Sequence, residues 1–390
     1  MAEVKGRIDQ NILYIDLIGR IDASNAQAID EEISALKAEY PDANLVLDAD
    51  ELEYISSAGL RIILKLRKSN PKLAIINVSS AVYEIFEMTG FVEMVTIKKA
   101  FRRLSVDGCE FIAKGSNGAV YRYDEETIVK VYFNQDALPE IKHEQDNARK
   151  AFVLGMNTAI PYDIVRIGEG YGTVAEMLTA KSLSKMIIDD PEHLEEPVKY
   201  YVDTLKSIHA IHPEAGTFGS AKAQVVDWAN FLKDHLPADQ ADKLCALVDA
   251  LPETNTLLHG DYHTNNVMLQ NGETLIIDMD TLAMGHPIIE LASMFNAYVG
   301  FLEGDPDEAI RYLGFPADVA GKFWRMSLAA YLDTDDEARI QEVEDKAKII
   351  GYARILRRAI RRDEALSPFR IQRAGEVLAE LLPKYDSLEF

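Results

Sequence analysis

Positive charge is what this chain most lacks: 41 Lys and Arg stand against 64 Asp and Glu, a formal net charge of -23 over 390 residues. An acidic surface repels nucleic-acid backbones and anionic bilayers, so no nucleic acid and no membrane is expected as a partner. A cationic substrate would be favoured, although acidity also serves solubility alone. Cysteine is nearly missing. Cys109 and Cys245 make neither a disulfide framework nor a metal-ligand spacing, which fits a reducing compartment. No apolar run is long enough to span a bilayer, and Met-Ala-Glu-Val-Lys-Gly has no apolar leader core, so a cytoplasmic protein is expected. Internal repeats, low-complexity tracts and Gly/Ser- or Pro-rich linkers are absent as well. The length calls for two or three domains, and 48% hydrophobic residues are ample for their cores.

What is present centres on His259–Gly260–Asp261–Tyr262–His263–Thr264–Asn265–Asn266, followed by Asp278–Met279–Asp280. Thr274–Ile277 reads as a short buried strand, which places Asp278 at a strand end. Phosphoryl transfer needs a carboxylate to accept or orient the proton of an attacking hydroxyl, and an Asn and an Asp to hold Mg2+ across the phosphates of ATP. Asp261, Asn266 and Asp278 supply these groups in that order, and Asp280 would help hold metal or substrate. The competing reading is a polar loop between core strands with His259 as a satisfied buried histidine; it accounts for one or two of these residues, not for all of them at this spacing.

His-Gly-Asp-x-x-x-x-Asn followed by Ile-Asp-x-Asp resembles the aminoglycoside phosphotransferase family and its choline- and homoserine-kinase-like relatives. The resemblance implies an α+β, protein kinase-like fold of two lobes, expected here over residues 109–178 and 179–390. Ala113–Tyr121 fits a phosphate-covering loop between two strands, in which Gly115, Ser116, Asn117, Gly118 and Val120 would meet the nucleotide; Ala113 replaces the first glycine of Gly-x-Gly-x-x-Gly-x-Val. Lys130 sits within the apolar strand Ile128–Tyr132, where an unpaired ammonium is costly. ATP phosphates and an acidic partner would offset that cost. Glu144 is the expected partner, on a helix with Ile141, Ala148, Ala151 and Phe152 on its apolar face, and Glu140 is the alternative. The family resemblance further implies that backbone around Glu176 and Leu178, after the strand beginning at Gly172, holds the adenine. Gly285–His286–Pro287–Ile288–Ile289–Glu290–Leu291–Ala292 resembles the family's Gly-Asp-Pro-x-x-Asp-Leu-Ala, with His286 and Glu290 in place of two acids that are structural. Residues 180–258 and 290–390 read as helical. His209 and His212 are expected at packing or surface positions, and Trp228 and Phe231 in the core or beside a substrate. Arg354, Arg357, Arg358, Arg361 and Arg362 are expected on a solvated helix face, or less plausibly as a site for the acidic N-terminal domain.

Residues 1–105 read as a separate α/β unit. Strands are expected at Val4–Ile8, Ile12–Ile18, Asn44–Asp48 and Leu73–Val78. Helices are marked by Ile29, Ile33 and Leu36, by Leu60, Ile63, Leu64 and Arg67, and by Val82, Ile85 and Phe86 up to Gly90. Gly19-Arg20-Ile21-Asp22, Tyr54-Ile55-Ser56-Ser57-Ala58-Gly59-Leu60-Arg61 and Phe86-Glu87-Met88-Thr89-Gly90-Phe91 resemble the STAS domain of anti-sigma factor antagonists. The resemblance implies phosphorylation at Ser57, with Ser56 where an Asp often stands. A phosphate at a helix N-terminus meets free N–H groups and the positive end of the dipole. The plain alternative makes Ser56 or Ser57 a helix cap. The connection 102–108 ends on the breaker Gly108 and marks the boundary.

Two functions follow. The first is ATP- and Mg2+-dependent phosphorylation of a small-molecule hydroxyl, with Gly260 and the short stretch from Asp278 to Glu290 arguing against a protein kinase. The second is a partner-switching regulator: the N-terminal domain binds an anti-sigma-like protein, and the kinase-like domain senses nucleotide or phosphorylates Ser57.

Overall fold

Leu13, Ile15 and Leu17 alternate with half-buried neighbours along the strand Ile12–Ile21 and are themselves sealed from solvent, the period-two pattern of a sheet with one face on the core. Glu3–Asp9 pairs antiparallel with this strand across a two-residue turn, where Gln10 and Asn11 take φ of 44° and 74°. Two positive φ values give the turn a twist that matches the sheet. Asn44–Asp48, Ala74–Val78 and Thr96–Lys99 continue the sheet in parallel, while Leu52–Ile55 pairs with the far end of Ile12–Ile21. Helices Ala26–Glu39, Ser57–Ser69 and Ser80–Met88 bury Ile29 and Ile33, Leu60, Ile63 and Leu66, and Val82 and Phe86. Leu52–Ile55 and Thr96–Lys99 escape the sequence reading because they are four residues each, and Thr-Ile-Lys-Lys offers a single apolar side chain.

These elements make up the first of two compact units, Met1–Ser105; the second is Val106–Phe390. The structure, a computed structural model, describes residues 3–115, 117–305, 307–362 and 364–390. The chain thus combines an α/β unit with a two-lobed, kinase-like α+β unit. The first lobe of the second unit carries an antiparallel sheet ordered Asp163–Ile167, Gly170–Glu176, Thr127–Tyr132, Gly118–Arg122, Glu110–Lys114. Its helix Leu138–Val153 buries Ile141, Asn147, Ala148 and Ala151. Phe152, expected on that apolar face, is instead 54% exposed, while Ala148 and Ala151 are buried.

The second lobe is mostly helical, as expected. Pro287–Tyr298, Ala317–Leu332 and Glu337–Arg362 share a core of Phe295, Phe323, Trp324 and Tyr352. Short strands interrupt the helices at Gly219–Ser220 and Leu257–Leu258. The expected strand at Thr274–Ile277 forms one residue earlier, Glu273–Ile276, paired with Val267–Gln270 around Asn271 and Gly272 at φ 53° and 85°. Ile277 leaves this ladder because its N–H donates to Asn266 O at 3.0 Å.

Gly59 gives a direct test of packing in the first unit: a Cβ there would lie 2.6 Å from Ile55 Cγ1 and 2.8 Å from Ile21 Cγ2. Gly59→Ala should destabilise this unit by about 1–3 kcal/mol through overpacking. Amide hydrogen exchange along Asn44–Asp48 should accelerate in the variant. Both tryptophans, Trp228 and Trp324, lie in the second unit, so their fluorescence transition reports that unit separately. Unchanged exchange would show that the helix has room for a methyl group.

Candidate active site

The loop 259–266 is positioned from below by a buried carboxylate. Glu290, wholly inaccessible on the helix Pro287–Tyr298, accepts hydrogen bonds from the backbone N–H of His259 and of Gly260, the latter at 3.0 and 3.2 Å. Thr281 Oγ1 donates to His259 O at 2.7 Å, and Ser293 Oγ donates to Gly260 O at 2.8 Å. Gly260 has φ 82°, and a Cβ there would come within 2.5 Å of Thr281 O; only glycine fits. On the other side Tyr201 and Tyr262 each donate a hydroxyl to the other's backbone carbonyl, at 2.8 and 2.6 Å. Tyr298 OH accepts from Thr264 N at 2.9 Å. His286, the other replacement in the family pattern, caps this same helix by accepting from Ile288 N at 3.2 Å.

The frame presents three carboxylates, Asp261, Asp278 and Asp280. Burial works against the charge of Asp261, but a hydrogen bond and the nearby charge of His263, with help from His259 and Arg354, hold its carboxyl below the usual range. Its Oδ2 lies 3.5 Å from His263 Nε2. Asn266 Nδ2 donates to Asp261 O at 3.0 Å, which leaves the amide oxygen as the end available to a cation. Asp278 takes φ 69°, a conformation that turns the chain sharply after the strand. Its carboxyl is raised, first by burial and then by Glu144 and Asp261, against the pull of Lys130 and His259. Asp280 is pushed up to about 7 by burial, by Asp278 and by Glu144. Two neighbouring acids that resist ionisation are short of positive charge. Among the described residues no three of His, Cys, Asp or Glu close on one point. A divalent cation here would therefore take Asn266, Asp278 and the oxygens of a phosphate, in keeping with the few protein ligands that Mg2+ needs.

Lys130 reaches the same cleft from the first lobe. Its Nζ lies 3.1 Å from both oxygens of Glu144, and Tyr132 OH donates to Glu144 Oε2 at 2.7 Å. Burial would lower the lysine pKa; the charges of Glu144 and Asp278 outweigh it and hold the ammonium well above its ordinary value. Glu140, the alternative partner, is exposed. Sequence reasoning misses Tyr132 and also Asn147, a polar residue on the buried face of the Glu144 helix. Asn147 Nδ2 donates to Met279 O, between the two aspartates, at 3.0 Å.

Gly115, Asn117, Gly118 and Val120 lie at the hairpin between the first two strands of this lobe, where Gly115 N donates to Gly118 O at 2.9 Å; Ser116 lies outside the described residues. Gly118 is dictated by strand packing, since a Cβ would fall 2.4 Å from Val131 O, whereas the position of Gly115 is open. Glu176 ends its strand and Leu178 follows in the connection to the second lobe. His209 is buried, with Nδ1 2.8 Å from Tyr331 OH, and is no part of the loop. Ser57 is the exposed first residue of its helix; Ser56 supplies the cap, accepting from Ala58 N at 3.2 Å.

Glu290→Gln leaves one acceptor oxygen where the two N–H groups now meet a carboxylate. Losing one charge-assisted hydrogen bond in this buried setting should cost about 2 kcal/mol, read as a lower midpoint of Trp324 fluorescence in urea. An unshifted midpoint would mean that the amide serves the loop equally well.

Comparison with known proteins agrees with these two units. The model of the phosphotransferase enzyme family (APH) matches residues 108–324, and that of the STAS domain matches residues 3–104. A Bordetella bronchiseptica protein named as an anti-sigma factor antagonist, BtrV, is 33% identical over 90 residues, 22% of this chain and 77% of that protein. Similar solved structures include the ADP-bound aminoglycoside phosphotransferase APH(2'')-Ib, at 13% identity, TM-score 0.48, 79% of this chain and 99% of that one. A choline/ethanolamine kinase family protein from Mesorhizobium loti is 14% identical, TM-score 0.44, covering 70% of this chain and 91% of that one. With the family model spanning more than half of its length, this chain belongs to the phosphotransferase enzyme family and carries a STAS domain at its N-terminal end.

Proposed function

We propose that the second unit transfers the γ-phosphoryl group of ATP to the hydroxyl of a small molecule. The observation that carries this reading is the convergence on one cleft of an ionised Asp261, a cation-deficient pair at Asp278 and Asp280, and a charged Lys130 held by Glu144. Asp261 orients the acceptor hydroxyl and takes its proton. As the acceptor oxygen bonds to the γ-phosphorus, the bond from that phosphorus to the bridging oxygen breaks and ADP departs with the electron pair. Lys130 contacts the α- and β-phosphates, with Glu144 and Tyr132 fixing its position. Asn266 and Asp278 would hold Mg2+, whose charge would offset that of the phosphates, with Asp280 assisting toward metal or substrate. Gly115, Asn117, Gly118 and Val120 cover the phosphates, and backbone at Glu176 and Leu178 receives the adenine.

A second reading is favoured by the exposure of Ser57 beside a cap already filled by Ser56. There the STAS domain switches an anti-sigma-like partner according to phosphate on Ser57, supplied by the kinase-like unit.

Incubation with Mg2+ and γ-labelled ATP, with and without a panel of hydroxylated small molecules, separates the two. Label should move to an acceptor, and Asp261→Asn should reduce transfer by about 10²–10⁴-fold, the usual worth of a positioned acid–base group, with nucleotide affinity retained. Label on the protein that disappears in Ser57→Ala would favour the second reading. Nucleotide binding without any transfer would sink the catalytic one.

A further inference from the structure

Net charge alone points to a cationic acceptor, yet an arginine stands close enough to Asp261 for its charge to act on that carboxyl, in a cleft that Asp278, Asp280 and Glu144 otherwise make acidic. The helix Glu337–Arg362 carries Arg354, Arg357, Arg358, Arg361 and Arg362 at spacings of one, three and four, along one side. This stripe begins inside the site. Arg354 Nη1 donates to Ser293 Oγ at 3.0 Å, and that hydroxyl donates to Gly260 O at 2.8 Å. The charge of Arg354 reaches both Asp261 and Tyr312, whose ring packs 5.1 Å from that of His263.

The cations outnumber their acidic partners. Arg357 Nη2 meets Asp227 at 3.3 Å, and that aspartate is 69% exposed, so the pair is screened by water. Arg358, Arg362 and Arg370 share the single carboxylate of Glu364, at 4.0, 3.6 and 3.4 Å. The Nε atoms of Arg357, Arg358 and Arg370 are buried without a hydrogen-bond partner. Burial and then the repulsion of Arg362, with Arg370 and Arg354 adding to it, lower the pKa of Arg358. The outer end of the stripe keeps the solvated face expected from sequence, with Arg361 and Arg362 exposed, whereas Arg354, Arg357 and Arg358 are half-buried.

Aromatic rings hold several of these arginines in place. The guanidinium of Arg354 lies 5.8 Å from the Trp228 ring, and that of Arg357 5.8 Å from Phe231. Arg358 lies 5.1 Å from Phe301. An arginine packed beside a ring is partly ordered already, so less ordering is needed when its N–H groups meet a planar or tetrahedral anion.

We propose that the acceptor carries an anionic group, a phosphate or a carboxylate, which binds the arginines of the Arg354–Arg358 turn while its hydroxyl lies at Asp261. This rests on the phosphotransferase reading and narrows it. Arg354 anchors the near end, and Arg357 and Arg358 follow along the same turn. The net charge of -23 then describes the rest of the surface and says nothing of the acceptor.

The test uses the full chain saturated with Mg2+ and a non-hydrolysable ATP analogue, so that the nucleotide pocket is filled. Inorganic phosphate, acetate and choline are titrated separately at matched ionic strength and followed by calorimetry. Phosphate or acetate should bind saturably and choline should not. Arg357→Gln combined with Arg358→Gln should weaken the anion by about tenfold or more, the loss of charge-assisted contacts, with affinity for the analogue unchanged as the check on folding. Choline binding in place of the anions, no saturable anion binding, or equal anion affinity in the double variant would each overturn the proposal. Failure of the analogue to bind the unmodified chain would count against the phosphotransferase reading instead, and anion binding would then be measured without it.

Discussion

The second unit depends on a carboxylate that never meets water. Glu290 sits at zero exposure and is satisfied by two backbone N–H groups of the loop that bears Asp261. Burying an ionised carboxylate without partners is prohibitive, so the loop and the helix Pro287–Tyr298 form together or not at all. The positive φ of Gly260 follows from the same constraint, because the chain must turn both N–H groups toward one carboxylate while passing under Thr281. The buried tyrosines Tyr201, Tyr262 and Tyr298 then close the other side with hydroxyls that all find backbone partners. The loop is therefore a rigid shelf, and the geometry of Asp261 is inherited from groups that take no part in chemistry.

Charge in the cleft is arranged by opposition. Asp278 and Asp280 are drawn together in a setting that penalises both, while Lys130 is kept cationic against the same penalty by Glu144, which Tyr132 OH holds in place. Such a site stores electrostatic cost that a cation and phosphates can relieve, which is why its polar groups are poorly balanced among themselves. Folding free energy is spent there on readiness to bind.

The order and spacing of Asp261, Asn266, Asp278 and Lys130 made the second unit legible, since those residue types must occupy fixed places along the chain. The alternation at Leu13, Ile15 and Leu17 and the helical recurrences around Ile29 and Phe86 did the same for the first. What escaped were contacts made through space. Asn147 and Met279 are 132 residues apart in sequence, and nothing local marks their hydrogen bond. A packing reason for Gly118 was also hidden: a crowded strand crossing demands glycine there, whatever the loop does, because a Cβ would meet the Val131 carbonyl. Phe152 shows the reverse case, an apolar residue at a plausible helical position that the fold leaves exposed while Ala148 and Ala151 are buried.

The hydrogen bond from Asn147 to Met279 fastens the helix that bears Glu144 to the peptide between Asp278 and Asp280. A swing of that helix would leave a buried amide and a carbonyl unmatched, at a cost of about 1–3 kcal/mol. The lysine, its glutamate and the two aspartates are thus registered to one another by the fold itself, across the two lobes.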